Sequence, residues 1–374
     1  MATINRVDRS ICILMKIFVL LFCIFATFSS LTWSMYTGLC VILIIYAIAA
    51  LLYIPRPNVE LVKSALAHNT ENTNTESTTP NNISETTKRK NKVLVIAHRG
   101  AGDDAPENTL VAFRLAKKNG ADAIEFDLSF SKDDVPIVIH DDTVDRTTDG
   151  TGNISDLSLA ELRRLNAAAK FKQAVFPHET IPTLDEALQE CLHLGLKMFI
   201  DVKEYDSRVF PVIQKAFRDY PKLYDQAMVC SFYPNVVYKV RKADPRIMTG
   251  LTWRPHFMSR EGVYGRMRHV SMAMQLLARA GDVILEWLHE NVLWYLCGNS
   301  VFLIHGMCVS DRCKRLWEER GIHLVVWTVN DDIEKHFLHD CLQLHYMTDS
   351  LVATDTEVEG NTGDVGGAAD CKEK

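Results

Sequence analysis

Glu125 and Asp127 stand two residues apart inside the apolar run Ala123-Ile124-Glu125-Phe126-Asp127-Leu128, and that spacing constrains this chain more than any other feature. A strand through the run turns both carboxylates to one face. Burying two unpaired carboxylates there costs several kcal/mol, and a divalent cation held between them removes that cost. The pair therefore marks a metal-dependent enzyme site. Three more apolar runs end in polar groups: Val93–Ala97 in His98-Arg99-Gly100, Pro136–Ile139 in His140-Asp141, and Lys197–Ile200 in Asp201-Val202-Lys203.

Strand-like and helix-like segments alternate through the same region. Strand candidates fall at 93–97, 123–128, 136–140, 197–202, 227–231, 247–251, 301–304, 324–329 and 345–348. Helical patterns separate most of them. One starts at Pro106 and ends by Gly120, and others cover Leu184–Leu194, Val209–Asp219 and Arg312–Arg320. The candidates number one more than a closed eightfold barrel needs. Repeated strand-helix units with polar groups at the C-terminal strand ends nevertheless predict an α/β chain with a (β/α)₈ TIM barrel over 93–353. One stretch breaks the rhythm. Residues 267–303 are long and apolar, but Arg279, Asp282, Glu286, His289 and Glu290 interrupt them, which predicts an inserted amphipathic helix near the barrel mouth rather than a membrane span.

The charge pattern divides the rest. Between Ile11 and Ile54 the one charged residue is Lys16, enough for two apolar helices, Ile11–Phe28 and Tyr36–Tyr53, each able to cross roughly 30 Å of hydrocarbon. Residues 1–54 are thus expected to be a membrane anchor of two transmembrane helices, making the chain a multi-pass membrane protein. Arg6, Arg9 and Lys16 favour a cytoplasmic N-terminus, whereas the sequons at Asn82 and Asn153 have meaning on the opposite side, so the side of the barrel stays open. Residues 55–92 read as a polar linker and 354–374 as a disordered tail. The ten cysteines contain no CxxC pair, which argues against a zinc site and for free thiols. A net charge of −6, with no basic stripe, excludes nucleic acid as a partner; membrane lipid is expected, and protein partners are unknown.

Taken in order, the motifs resemble the glycerophosphodiester phosphodiesterase family. They are Ala97-His98-Arg99-Gly100, Pro106-Glu107-Asn108-Thr109, Glu125-Phe126-Asp127, His140-Asp141, Asp145–Gly152, Ile181-Pro182-Thr183-Leu184, Ser231-Phe232, Val326–Asn330 and Thr348-Asp349. The apolar N-terminus and the insertion are most similar to the membrane-anchored branch associated with glycerophosphoinositol. The resemblance implies that Glu125, Asp127 and Asp201 ligate one cation, Mg²⁺ or Ca²⁺, with Asp201 standing where the family usually has a glutamate. It implies that His98 and His140 are the acid-base pair, and that Arg99 and Lys203 neutralise the phosphodiester. Arg99 has an alternative reading, as a brace for Glu107 or Asp127. Glu107, Phe232 and Trp327 are placed at the pocket, each with a structural role as the competing explanation.

The expected reaction is metal-dependent hydrolysis of a glycerophosphodiester, such as glycerophosphoinositol, to glycerol 3-phosphate and an alcohol. A lysophospholipase D acting on lysophospholipids or N-acyl lysophosphatidylethanolamine is the nearer alternative. A catalytically silent membrane scaffold is the alternative of another class.

Overall fold

The computed structural model describes residues 16–19, 21–22, 31–67, 93–172, 175–205 and 207–352. Nine strands form its sheet: β1 (Val95–His98), β2 (Ala123–Phe130), β3 (Pro136–Val138), β4 (Lys197–Val202), β5 (Ala227–Ser231), β6 (Met248–Trp253), β7 (Val301–His305), β8 (His323–Trp327) and β9 (His345–Thr348). All but β3 pair in parallel, and β1 pairs with both β2 and β9, so eight strands close on themselves. This is a TIM barrel. The ninth candidate is β3, a short antiparallel appendage on the end of β2. Strands β2 and β4 are buried along their whole length, as expected where helices cover one face and the barrel interior the other.

Eight helices frame the described chain: α1 (Leu31–Leu52), α2 (Val59–Leu66), α3 (Leu110–Lys118), α4 (Leu184–His193), α5 (Val209–Asp219), α6 (Pro234–Ala243), α7 (Met272–Leu288) and α8 (Asp311–Glu319). Shorter turns fill the gaps between several of them. Local chemistry sets their starts. The Thr109 hydroxyl accepts from Ala112 N–H at the head of α3, and Thr183 and Glu186 form a reciprocal capping box on α4.

The linker expected at 55–92 begins later than the sequence indicated. Asn58 caps α2, whose Val62, Ala65 and Leu66 are buried against Leu94, Ile96, Phe199 and Met228 at the N-terminal end of the barrel. Lys197, on β4, donates to Ser64 O at 3.1 Å and completes this plug. Three buried residues in eight suffice because the barrel end supplies the rest of their contacts. The remainder of that linker and the tail at 354–374 lie outside the described residues.

Of the two expected spans, Ile11–Phe28 lies mostly outside the described residues. The second falls within α1, a 22-residue helix whose side chains are described from Thr37 onward. Among the described residues, no helix is long and apolar enough to cross a membrane. Cys40, Cys191, Cys230, Cys297, Cys308, Cys313 and Cys341 are free thiols.

Candidate active site

Strand register assembles the site. His98 is the partner of Glu125 across β1 and β2, and Asp127 is the partner of Asp201 across β2 and β4. Partners in a parallel pair point the same way, so these side chains face the barrel interior together at its C-terminal end. Carboxylate oxygens of Glu125, Asp127 and Asp201, all buried, lie within 4.8 Å of one another. Asp201 Oδ1 is buried without a hydrogen-bond partner, an orphan acceptor of the kind a hard cation satisfies. The donor set is all oxygen, which fits a divalent metal ion.

The loop after β1 braces this triad from the side. Arg99, Gly100 and Ala101 all adopt positive φ, turning the chain so that Arg99 N–H donates to Glu125 Oε2 at 3.0 Å. Gly100 is required twice over, by its φ of +83° and because a Cβ there would sit 2.8 Å from Ala112 Cβ. Asn108 donates to Asp127 Oδ2 at 2.8 Å and accepts from Asp127 N–H. Lys203 Nζ lies 2.8 Å from Asp127 Oδ1 and 2.6 Å from Asp201 Oδ2.

These neighbours split the acids electrostatically. Burial, followed by the Asp127 charge, pushes Glu125 up to about 8. Burial acts on Asp127 in the same direction, but the Lys203 and Arg99 cations overcome it and hold this carboxyl well below the usual range. Lys203 is stabilised as an ammonium for the converse reason: burial opposes its charge, and the three acids outweigh burial.

Each histidine has its own carboxylate. His98 Nδ1 is 2.5 Å from Asp349 Oδ1, while Nε2 points toward Glu125 Oε2 at 3.8 Å. Burial lowers the affinity of His98 for a proton, but Glu125 and Asp349 together raise it above the ordinary value. His140 Nδ1 meets Asp141 Oδ1 at 2.6 Å, and Arg146 Nε reaches Asp141 Oδ2 at 2.5 Å. In both rings Nδ1 is engaged, leaving Nε2 as the nitrogen available to a reactant.

A cavity of about 550 Å³ opens above the triad. His98, Arg99, Glu125, His140, Asp201 and Lys203 line it, with Phe232 and Trp327 meeting edge to face at 5.5 Å on the opposite wall. The structure thus brings together nearly every residue expected there. Glu107 and Asp127 do not line the cavity themselves; Arg99 Nη1 at 3.1 Å and both Arg146 Nη atoms take the Glu107 carboxylate, which is the structural alternative for that residue. The Arg99 guanidinium is committed to Glu107 and Asp127, which is the bracing reading.

Sequence reasoning missed several residues. Asp349 was visible only as part of Thr348-Asp349; its place one residue beyond β9 was the available signal. Arg146 lay within a quoted motif without a role. Phe257, which stacks on Phe232 at 5.3 Å, and the wall residues Arg254 and Tyr264 come from irregular segments with no periodicity to reveal them, and His305 ends β7 one residue beyond the strand expected at 301–304.

The fold and site define a TIM-barrel hydrolase with a carboxylate cation site and a pair of carboxylate-oriented histidines. The profile of the glycerophosphoryl diester phosphodiesterase family matches residues 98–351, and the chain belongs to that family. Glycerophosphodiester phosphodiesterase 1 of Bos taurus is 44% identical over 266 residues, covering 71% of this chain and 80% of that protein. The protein of the same name from Homo sapiens is 43% identical over the same length and shares. A phosphodiesterase from Oleispira antarctica, solved with the product sn-glycerol-3-phosphate, is 25% identical with a TM-score of 0.53, covering 68% of this chain and 92% of that one. The chain is a phosphoric diester hydrolase, and its reaction is the hydrolysis of glycerophosphodiesters.

Proposed function

We propose that this hydrolysis depends on one divalent cation, Mg²⁺ or Ca²⁺, held by Glu125, Asp127 and Asp201, and that the products are glycerol 3-phosphate and the head-group alcohol. The observation that carries the reading is the buried acidic triad beside two histidines whose Nδ1 atoms are both engaged by carboxylates. When bound, the cation supplies Lewis-acid polarisation of a phosphoryl oxygen. Lys203 adds a fixed positive charge beside the same oxygen. His98 and His140, through Nε2, take the proton from the attacking hydroxyl and give one to the leaving alkoxide. The attacking group is either the glycerol 2-hydroxyl, through a cyclic phosphate, or water. Arg99 acts mainly by fixing Asp127 and Glu107, with its backbone N–H orienting Glu125.

The cavity wall favours a neutral head group such as inositol. Its acidic lining residues, Glu125, Asp201 and Asp349, all sit at the catalytic end, and Arg254, Phe257, Tyr264 and His305 offer an ammonium head group no carboxylate. The exposed apolar side chains of Tyr264, Met267 and Val270 support a second reading, a lysophospholipid substrate with its acyl chain outside the barrel.

Membrane anchoring is part of the same proposal. The reading rests on the sequence, where Lys16 is the one charged residue between Ile11 and Ile54, and on the exposed Leu39, Leu43, Ile44, Ile48 and Leu51 of α1. Ile11–Phe28 would supply the other span. Asn153 is exposed, its Nδ2 donating to Asp156 Oδ2 at 3.1 Å, and would exchange that bond for a glycan if the barrel is on the outer side.

Chelation of the full chain should abolish glycerophosphoinositol hydrolysis, Mg²⁺ or Ca²⁺ should restore it, and Glu125→Ala should remove the response to either. Undiminished turnover in excess chelator would refute the metal assignment. Cleavage of lysophospholipid alone would replace the substrate reading.

A further inference from the structure

Helix α7 is built inside out. The side it turns to the protein carries polar groups beside the buried Ala278: Gln275 donates to Ser259 O at 2.9 Å and accepts from His269 N–H, and Asp282 accepts from Met258 N–H at 2.7 Å. His289, two turns beyond Asp282 and just past the end of the helix, is 2% exposed. The opposite side is apolar and uncovered, with Leu276, Leu277, Val283 and Ile284 between 57% and 68% exposed. Ala273 and Ala280 continue that face, while Arg279, Glu286 and Glu290 flank it along one edge. A helix on an ordinary water-facing surface has the reverse arrangement.

The segment following α7 is joined to the end of α1. Tyr53 stacks on Tyr295 at 4.8 Å, and Ile54 N–H donates to Leu296 O at 3.2 Å. Gly298 permits the approach, since a Cβ there would lie 2.2 Å from the Ile54 carbonyl oxygen. Ile45, Ile48 and Leu52 of α1 share an apolar crevice with Val292 and Leu296. The segment that continues α7 therefore packs against the end of the proposed anchor.

We infer that α7 lies in the lipid bilayer interface, its apolar face in the acyl region. The inference rests on the reading of α1 as an anchor. Seventeen residues span about 26 Å, and a one-sided apolar face edged by charges matches a helix lying in the plane of the interface. Gly262, Val263 and Tyr264 line the cavity only a few residues before α7 begins, which ties the position of the mouth to that of the helix. Lipid is the occupant the structure favours, because α1, which reaches this region, is itself apolar.

The test uses the full chain reconstituted into phosphatidylcholine vesicles, with a benzophenone-bearing residue in place of Leu277 or Ile284, and in place of the exposed Lys215 as control. Retained hydrolysis of soluble glycerophosphoinositol verifies that each labelled chain is folded. Irradiation should yield lipid adducts at 277 and 284 at least tenfold above the control. Adducts to a second copy would overturn the inference and make this face a dimer contact. An absence of lipid adducts in a chain that floats with the vesicles would overturn it while leaving the anchor intact. A chain that does not float would overturn the anchor reading and the inference together.

Discussion

Asp349→Asn tests how His98 acquires its working tautomer. Asn330 Oδ1 accepts from Asp349 N–H at 2.9 Å, which turns the Asn330 amide nitrogen toward Asp349 Oδ2 at 2.8 Å. Position Oδ2 must therefore remain an acceptor. In the variant the amide oxygen is held there, and the new NH₂ replaces Oδ1 beside His98 Nδ1. A neutral imidazole facing that donor accepts through Nδ1 and carries its proton on Nε2, the nitrogen that must be free to act as base. Restoring the productive tautomer requires flipping the new amide against the Asn330 NH₂. That loses a neutral amide–amide bond worth about 0.5–1.5 kcal/mol and leaves a donor unmatched at about 1–3 kcal/mol. The Asp349 side chain is 27% exposed, so solvent relieves part of the second cost.

A net barrier of about 2–4 kcal/mol corresponds to a loss of roughly 30- to 10³-fold in kcat. Asp349→Ala imposes no wrong donor and leaves His98 free to hold either tautomer. The reasoning therefore requires the isosteric Asn variant to be slower than the truncated Ala variant. Steady-state hydrolysis of glycerophosphoinositol by both, at saturating cation, decides the matter. An Asn variant within tenfold of wild type, or one faster than the Ala variant, would refute the tautomer argument.

Gly100→Ala should destabilise the chain by about 2–4 kcal/mol, combining a strained positive φ with a clash against α3, and chemical denaturation should register it. A variant as stable as wild type would show that the loop relaxes freely. His289→Phe tests acid sensitivity: burial lowers His289 to about 4 from an ordinary 6.5. Above pH 6.5 the ring is neutral both folded and unfolded, so it has no effect. As pH falls from 6.5 toward 4, the unfolded chain takes up the proton first and stability is lost, by about 2 kcal/mol at pH 5. The stability difference between pH 7.5 and pH 5 should shrink by that amount in the variant, and an unchanged difference would refute the assignment.

What was legible in the sequence and what was not follow the same physical division. The barrel strands and the triad could be read because an acid or a histidine in an apolar strand is locally anomalous, and period two assigns its face without knowledge of the rest of the fold. The two readings of Glu107 could not be separated in the sequence because its partner Arg146 is 39 residues away and no local pattern connects them. Asp349 carried no role for the same reason: its partner His98 is 251 residues distant and meets it only when β1 pairs with β9. Helix α2 was absorbed into a linker because its few apolar residues find their partners only at the barrel end. In α7 the composition was legible and the orientation was not. Leu276, Leu277, Val283 and Ile284 read as a helix needing cover, and the same period fits a face turned inward or outward. The bonds from Gln275 to Ser259 and from Met258 to Asp282 decide the direction, because buried polar groups must be satisfied and apolar ones carry no such requirement. The polar minority of that helix thus fixes its orientation, and the apolar majority then determines what can lie against it.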